Sequence, residues 1–456
     1  MRAAYLFPVV LAASLVTGCA VGPKYQKPTV APPADFRQLQ QPTAESLADQ
    51  AWWQVFQDEA LQQLVREAIR NNYDLKIAVI RVEEARSSAR IAAAPLYPQV
   101  SVDGSIDRAK NPPFATIASA SLSPQVSWEI DVWGRLRKER DAGRYEFLAT
   151  EEGRRGVLIS LVAEVAQGYF TLRELDLQLQ ITRDTVSTRH ETLDLFSKLK
   201  QAGVNTGLDI AQAEADLAAA EAAIPNLEIQ ISQQENALRL LLAQPPGEIP
   251  RGKLLADQYL PPVVPTGLPS ALLERRPDIR QAELSLQSFN SLVGVARANM
   301  FPQFSLTGLL GVASDQLTGL SAGVGSTYSF GAGLTAPIFQ GGRLRGNYEL
   351  AKQQYQESKV SYEKSVQNSF REVADALVQY QKLRELRTVQ ERQVDALQRS
   401  VHLSSLRYSG GLSSYLEVLD AQRGLFAAQI ALAQTRGNQL QSLVELYRAL
   451  GGGWQQ

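Results

Sequence analysis

Two kinds of hydrophobic pattern divide the chain. In residues 122–132 and 320–334 apolar and polar positions alternate, and shorter alternating segments precede them at 100–106 and 304–307. Alternation with a period of two predicts β-strands that have one apolar and one polar face. Ten or more alternating residues, with aromatic residues near the ends, are typical of a transmembrane β-strand.

The second pattern has the period of a helix. Residues 135–200 and 343–409 contain no proline and are rich in Glu, Gln, Arg, Ala and Leu, and their apolar residues recur every three or four positions. About 65 residues at ~1.5 Å each give a helix of roughly 100 Å. That is three times the ~30 Å hydrocarbon thickness of a bilayer, so we expect these helices to cross an aqueous space.

Each long helix is followed by a glycine-containing turn, at 201–207 and 409–414, and by a returning helix, about 208–243 and 415–450. Glycine allows the left-handed conformation that ends a helix, and Thr206 or Ser413 can cap the next one. Pro225 has no counterpart in the second returning helix, so we expect only the first to be kinked. A shorter amphipathic helix precedes each strand pair, at about 61–94 and 277–298.

The chain repeats itself. Residues 134–243 recur loosely at 342–451 with an offset of 208, whereas Tyr97-Pro98-Gln99 recurs as Phe301-Pro302-Gln303 with an offset of 204. The four-residue difference must therefore be absorbed between Gln99 and Gly134. A duplication of fixed period predicts one structural unit made twice.

The repeat suggests domain boundaries. We divide the chain into a signal peptide (1–18), an extended N-terminal segment (19–60), a first repeat (61–250), a linker (251–276) and a second repeat (277–456). The first repeat contains a strand pair at 98–133 and a hairpin at 135–243, and the second contains a strand pair at 302–337 and a hairpin at 343–450.

Composition excludes several classes of function. The chain has 46 Lys and Arg against 47 Asp and Glu, so no net charge attracts it to nucleic acid. Two His and one Cys leave almost nothing for a metal site or a nucleophile–base pair. We assign no catalytic residue, no metal and no cofactor.

The single cysteine lies at the end of a signal. Arg2 precedes an apolar stretch at 3–16 that is too short to span a membrane. It ends Leu15-Val16-Thr17-Gly18-Cys19, which resembles a bacterial lipoprotein signal and implies acylation of Cys19 after cleavage. The alternative is a buried cysteine at the end of an ordinary signal. The residue after Cys19 is Ala20 and not the aspartate that usually retains such lipoproteins in the inner membrane, which favours the outer membrane.

Four strands cannot form a membrane barrel alone, because closure takes about eight. Open sheet edges do not occur in lipid, so several copies must share one barrel. Two chains would give eight strands and three would give twelve, and a conducting barrel favours the larger number. A soluble sandwich would also explain the alternation, but four strands with a small polar face cannot form a two-sheet core.

The combination resembles a known family. The likeness runs from Val21-Gly22-Pro23-Lys24-Tyr25 to Leu450-Gly451-Gly452, and its most specific part is Arg407-Tyr408, Gly411, Leu416 and Leu419-Asp420-Ala421-Gln422. The chain is similar to the TolC-like outer membrane factors of tripartite efflux pumps, in their acylated (NodT/OprM-like) branch. The resemblance implies an α+β membrane protein: a homotrimer with a shared 12-stranded transmembrane β-barrel and a 12-helix periplasmic α-barrel.

The resemblance also implies a function and partners. We expect a passive, lipid-anchored outer membrane conduit with a long periplasmic extension, which carries small molecules such as drugs and toxic compounds. Its partners would be a periplasmic adaptor protein and an inner-membrane pump of the resistance-nodulation-division type. The hairpin tips would contact the adaptor, through Gly203, Gly207, Gly410, Gly411 and Ser413.

A gate follows from the same resemblance. In the family, carboxylates on the second returning helix form rings at the periplasmic end of the tunnel, which implies that role for Glu417 and Asp420. Their spacing of three places them on one helix face. The alternative is an ordinary solvated face.

Links outside the rings would hold the gate closed. Tyr408 and Asp209 match a tyrosine–aspartate hydrogen bond between the inner and outer hairpins. Ser413 stands where some members have an arginine, so Arg407 or Arg423 would take over that contact.

Other functions remain open at this point. A periplasmic coiled-coil adaptor would share the long helices and the lipid anchor but would lack the alternating strands. A type I secretion exit channel for proteins would have the same fold. An enzyme is disfavoured, since the sequence shows no convergent His, Cys or Ser and no phosphate-binding loop.

Overall fold

The elements follow the order expected for a duplicated strand pair and helical hairpin. The computed structural model describes residues 21–31, 46–110, 116–203, 206–261, 264–265, 271–315 and 325–452. The helices and strands of this part are α1 (Trp52–Val55), α2 (Glu59–Asn71), α3 (Tyr73–Ala93), β1 (Gln99–Lys110), β2 (Thr116–Ile130), α4 (Arg135–Gln201), α5 (Gly207–Leu241), α6 (Leu272–Arg275), α7 (Pro277–Ala298), β3 (Gln303–Ser314), β4 (Ser326–Thr335), α8 (Arg343–Ser409) and α9 (Tyr415–Ala449), with short 3-10 helices at Leu47–Asp49, Ala94–Leu96 and Leu255–Asp257.

The four strands form one antiparallel sheet in the order β1-β2-β3-β4. Gln99 lies opposite Ser127 in the first pair, and Gln303 lies opposite Thr335 in the second. Strand β3 therefore repeats β1 with an offset of 204, and β4 repeats β2 with an offset of 208. The four-residue difference is absorbed between β1 and β2, within the interval predicted from the sequence.

The sheet has one apolar and one polar face. The apolar side chains are Val100, Val102, Ile106, Leu122, Pro124, Val126, Trp128, Ile130, Leu306, Leu310, Tyr328, Phe330 and Leu334. On the polar face the Ser105 and Ser121 hydroxyl oxygens lie 3.0 Å apart. Strands β1 and β3, which we expected to be short, have 12 residues each, because backbone pairing continues past Gly104 and Gly308, where the apolar alternation is interrupted. Part of the predicted strand at 320–334 lies outside the described residues.

The helices of the two hairpins match in length. Helices α4 and α8 have 67 residues each, and α5 and α9 have 35 each. Helix α5 continues through Pro225, and the kink at that residue stays a prediction. No helix in the described part of the chain combines the length and the apolar composition that a bilayer crossing requires.

The helix predicted at 61–94 is two helices, so that prediction was wrong. Helix α2 ends at Asn71 and α3 begins at Tyr73. The Asn72 side chain accepts a hydrogen bond from the Leu75 amide and donates one to the Leu241 carbonyl. Asn72 thus caps α3 and ties the break to the end of α5, because asparagine satisfies backbone groups at helix ends better than within a helix.

The chain divides into two compact units. The first comprises Met1–Val30, Ile80–Gly153 and Asp278–Ser365, and it contains the sheet. In it, the Trp133 indole nitrogen donates to the Pro302 carbonyl at 2.7 Å, and the Trp133 and Phe301 ring centroids are 4.9 Å apart.

The second unit comprises Ala31–Val79, Arg154–Pro277 and Val366–Gln456. At its core the buried Asp58 carboxylate caps α2 and accepts hydrogen bonds from the Tyr169 hydroxyl, the Lys253 amide and the Gln258 side chain. One carboxylate therefore joins the N-terminal segment, the first long helix and the segment between the repeats.

Candidate gate at the hairpin ends

Glycines close both hairpins in the left-handed conformation that the sequence indicated. Gly203 has φ +77° and Gly411 has φ +70°. After α8, the Gly411 amide donates to the Tyr408 carbonyl and the Leu412 amide donates to the Arg407 carbonyl, each at 2.9 Å. These two bonds form a Schellman motif, which glycine favours at its left-handed position. All four predicted tip glycines, Gly203, Gly207, Gly410 and Gly411, are exposed.

The returning helices begin differently. Thr206 caps α5 in a capping box, in which its hydroxyl accepts from the Asp209 amide and the Asp209 carboxylate accepts from the Thr206 amide. The N-cap of α9 is Ser414, so the prediction of Ser413 as the cap was wrong. The helix starts at Tyr415, as expected, so Ser413 lies one residue before the cap. The Ser413 hydroxyl is buried without a hydrogen-bond partner among the described residues.

Asp209 and Tyr408 make contacts of different kinds. Among the described residues, the hydrogen bonds of the Asp209 carboxylate run to Thr206. The Tyr408 ring lies 5.8 Å from the rings of both Phe196 and Tyr415. It thus contributes to an apolar contact between the two hairpins, and the hydrogen bond between Tyr408 and Asp209 stays a prediction.

The two predicted ring carboxylates, Glu417 and Asp420, lie on the first turns of α9 and are exposed. The Arg407 guanidinium lies 3.5 Å from the Glu417 carboxylate, and both side chains are more than half exposed. Asp420 forms no ion pair with any other described residue. An exposed pair such as Arg407 and Glu417 contributes little to stability.

A partly buried ion cluster formed by Arg189, Asp216 and Arg423 connects the two hairpins. The Asp216 carboxylate on α5 lies 2.8 Å from Arg189 Nε on α4 and 2.7 Å from Arg423 Nε on α9. Arg189 also donates to the Asp216 carbonyl at 2.7 Å. Side-chain exposure is 7% for Arg189 and 5% for Asp216, against 53% for Arg423. Arg423, predicted to replace a missing arginine, thus contacts a buried aspartate of the first hairpin.

The cluster has one more positive than negative charge, because two guanidinium groups share one carboxylate. Burial lowers the pKa of Arg189, and the nearby Arg423 charge acts in the same direction while Asp216 opposes it. The Arg189 guanidinium also lies 5.5 Å from the centre of the Phe426 ring. Burial and the Asp216 charge raise the pKa of the neighbouring Tyr415 to about 12. Asp216 is therefore the charge on which the cluster depends.

The sequence contained one signal for Asp216 that the prediction missed. Ala213, Leu217 and Ala220 are buried on one face of α5, and Asp216 falls on the same face. A carboxylate on an apolar helix face requires a buried cation, since an unpaired buried charge is costly. Arg189 carries no comparable signal, because one arginine in a long polar helix gives no indication of its partner.

Neither a metal site nor the lipid anchor is found among the described residues. No group of three or more His, Cys, Asp or Glu in this part of the chain is arranged to hold a metal ion. The predicted lipid anchor Cys19 and the signal peptide lie outside it.

Comparisons with known proteins identify the fold. A family model described as "Outer membrane efflux protein" matches residues 64–244 and 268–452. The chain is 36% identical over 457 residues to the cation efflux system protein CusC of Escherichia coli O6:H1, and the match covers 99% of each chain. It is 35% identical over 464 residues to the toluene efflux pump outer membrane protein TtgC of Pseudomonas putida, and this match covers 98% of this chain and 96% of that one.

Solved structures agree. A crystal structure of CusC superposes with a TM-score of 0.89 at 35% identity, and covers 95% of this chain and 100% of that one. The open state of the MtrE outer membrane channel of Neisseria gonorrhoeae has a TM-score of 0.88 at 31% identity, and covers 96% of this chain and 99% of that one.

Proposed function

The chain belongs to the outer membrane efflux protein family and is the outer membrane channel of an efflux system, and we propose that it works as a homotrimer with a periplasmic adaptor and an inner-membrane pump. The pump is of the resistance-nodulation-division type. Cargo leaves through a 12-stranded barrel that three chains share, after passing a tunnel of 12 helices.

The observation that carries the trimer is the open sheet. Among the described residues, strands β1 and β4 each have a paired neighbour on one side only, and the sheet has a continuous apolar face. Such edges are not stable in lipid, so they must pair with further copies. Eight strands fill their own interior with side chains, whereas twelve leave room for cargo.

Two measurements test this proposal. Light scattering in mild detergent should give about three times the mass of the processed chain, and the purified protein should form channels in planar bilayers. A monomer would contradict a shared barrel, and a trimer that never conducts would contradict the role as a conduit.

The apolar hairpin tips support a contact with an adaptor. Leu208 and Leu412 expose 67% and 74% of their surfaces next to the tip glycines. Apolar side chains exposed to this degree at the hairpin tips support an interaction surface there. We expect Leu412→Asp to abolish efflux while trimer mass and conductance stay unchanged, and Gln230→Asp, on an exposed position of α5, to leave efflux intact. Efflux that survives Leu412→Asp would exclude this contact.

The lipid anchor rests on the sequence around Cys19. Acyl chains on this residue would hold each protomer in the outer membrane in addition to the barrel. The chain's only cysteine stands where a lipoprotein signal requires it, which supports this part of the proposal.

The gate has two parts, a ring of carboxylates and an ion cluster that restrains α9. Three copies of Glu417 and Asp420 near one axis would repel one another and attract cations, while the Arg189, Asp216 and Arg423 cluster holds α9 against the first hairpin. Replacing the ring with Glu417→Gln and Asp420→Asn should weaken cation selectivity and block by divalent cations. Unchanged reversal potentials would mean that these residues are an ordinary solvated helix end.

In this proposal the inner-membrane pump selects the cargo, and the channel does not. Relatives of nearly equal identity are named for cation efflux and for toluene efflux, at 36% and 35%. The channel therefore accepts small molecules that its pump delivers. Pairing the channel with a different pump should change the exported compounds, and an export profile that follows the channel would contradict this.

A further inference from the structure

We propose that β4 of one protomer pairs with β1 of the next in one specific register, the register that the chain itself uses between β2 and β3. This inference rests on the proposed homotrimer, and it specifies which residues of the second copy complete the barrel wall. The internal repeat and the observed pairings of the sheet are sufficient to derive it.

The repeat makes β2 and β4 equivalent, and β1 and β3 equivalent. Residues of β1 correspond to residues of β3 with an offset of 204, and residues of β2 to those of β4 with an offset of 208. The β2–β3 contact within the chain joins the end of the first strand pair to the start of the second. The contact between β4 and the next β1 joins the end of the second pair to the start of a further first pair. The two junctions are therefore equivalent.

The observed junction supplies the register. In it, Ser127 lies opposite Thr307 and Val126 lies opposite Gly308. Adding 208 to the β2 residues and subtracting 204 from the β3 residues gives the equivalent pairs between chains. Thr335 then lies opposite Asp103 of the next protomer, and Leu334 lies opposite Gly104 of the next protomer.

The transferred register preserves the faces of the sheet. Leu334 is on the apolar face and Thr335 on the polar face, and their assigned partners lie on the same faces. A shift by one residue would turn every side chain of the neighbouring strand to the opposite face, placing Asp103 in lipid. Only registers that differ by an even number of residues compete with the proposed one.

Apolar residues on or near the outer strands β1 and β4 are more exposed than their equivalents on β3 and β2, which have neighbouring strands on both sides. Ile130 and Ile338 are equivalent, yet Ile130, which lies opposite Phe304, is 38% exposed and Ile338 is 92% exposed. The transferred register places Ile338 opposite Val100 of the next protomer. Val100 is itself 71% exposed. Each isoleucine thus receives the same kind of cover, once from within the chain and once from its neighbour.

The same comparison holds on the other edge strand. Leu306 on β3 is 39% exposed, whereas its equivalent Val102 on β1 is 63% exposed. In lipid the backbone groups on both open edges have no water to pair with, so a neighbouring strand that covers both edges is favoured in each of three interfaces.

Disulfide cross-linking tests the register. Residues directly opposite in an antiparallel pair have Cα atoms about 4.5–5.5 Å apart, within the range of about 4.4–6.8 Å that a disulfide requires. Residues displaced by two positions are about 7–8 Å apart and fall outside it. Thr335→Cys with Asp103→Cys should therefore yield covalently linked chains on oxidation, at least about tenfold more than Thr335→Cys with Ser101→Cys or with Ser105→Cys.

Matched controls are available in the chain. Ser127→Cys with Thr307→Cys is the equivalent pair of the observed junction, and it should form a disulfide without increasing the mass. A second pair, Leu334→Cys with Gly104→Cys, tests the same register on the apolar face. A side chain at Gly104 meets only ordinary contacts, the nearest at 3.5 Å. Variants that carry only one of the two introduced cysteines, beside the native Cys19, show the background.

The outcomes separate the inference from the proposed function. Strongest linkage through Ser101 or Ser105, in protein that is trimeric by light scattering, would overturn the register and leave the trimer intact. A trimer in which neither proposed pair links, while the Ser127 and Thr307 control does, would also overturn it. Protein that is monomeric in mild detergent before oxidation would instead contradict the shared barrel.

Discussion

Asp216 and Arg423 contact each other, but we expect the loss of Asp216 to destabilise the protein much more than the loss of Arg423. Asp216→Ala leaves the Arg189 guanidinium, whose side chain is 7% exposed, without its counter-ion. An uncompensated buried charge costs about 3–5 kcal/mol, so this variant should be strongly destabilised. Arg423 is 53% exposed, so Arg423→Ala removes only a charge-assisted contact and should cost about 1 kcal/mol of stability.

The milder variant is the one that reports on gating. If the Arg423 contact breaks when α9 moves outward, its loss in three chains lowers the cost of opening by about 3 kcal/mol in total. That corresponds to a rise of roughly a hundredfold in the ratio of open to closed channels. Single-channel recording in planar bilayers measures this ratio, and urea denaturation of each variant measures stability.

A control and a rescue complete the test. Arg407→Ala removes a cation whose carboxylate partner, Glu417, is exposed, and it should change neither stability nor open probability appreciably. Arg189→Met combined with Asp216→Leu removes both buried charges and should recover most of the stability lost in Asp216→Ala. The reasoning is wrong if Asp216→Ala is no less stable than Arg423→Ala, and the gating role is wrong if Arg423→Ala conducts like the unmodified channel.

Further predictions concern other buried groups and the anchor. Burial raises the pKa of Glu174 to about 7, so the protonated form is favoured in the folded protein. Stability should therefore fall as the pH rises from about 4.5 through about 7, and Glu174→Gln should flatten the change of Tm over that range. A Cβ at Gly437 would lie 2.1 Å from the Glu174 carboxylate, so Gly437→Ala should lower Tm, and lower it less when Glu174 is also replaced by Ala; equal losses in the two backgrounds would disprove the contact. Asp58→Ala removes the acceptor shared by three segments and should lower the free energy of unfolding, measured by urea denaturation, by more than about 3 kcal/mol. Tyr169→Phe removes one of these hydrogen bonds and should lower it by about 1–2 kcal/mol. Equal losses would contradict the role of Asp58 in joining three segments. Cys19→Ser should abolish incorporation of radiolabelled fatty acid, and continued labelling would refute acylation at that residue.

The fold could be predicted from the sequence because its signals are periodic and occur twice. The offsets of 204 and 208 are visible in the amino-acid sequence at Tyr97-Pro98-Gln99 and at Gly134, and the strand registers reproduce both. The break at Asn72 was missed because one asparagine within a helix has only a modest cost and the helical apolar pattern continues on both sides of it. Its role depends on the Leu241 carbonyl, which is distant in sequence.

The candidate gate was only partly predictable for the same reason. The tip glycines follow from local conformation, which neighbouring residues determine. The partner of Arg423 does not, because Asp216 lies 207 positions away, and its place on the apolar face of α5 indicates a buried cation without identifying which one. Tyr408 could be placed near the gate, but whether it acts through its hydroxyl or its ring depends on Phe196 and Tyr415, which the sequence does not connect to it.

The equal helix lengths limit how this channel can change in length. Helices α4 and α8 have 67 residues each and α5 and α9 have 35 each, so both hairpins turn back after the same number of helical turns. About seven residues inserted into each of one hairpin's two helices would extend that hairpin by about 10.5 Å and leave the other unchanged. An insertion of one residue would rotate everything beyond it by about 100° and turn apolar positions away from their partners. A longer or shorter channel of this kind therefore requires coordinated changes of about seven residues in all four helices. Homologues from cells with a different periplasmic width should differ in length by such matched steps, at the same place in both repeats.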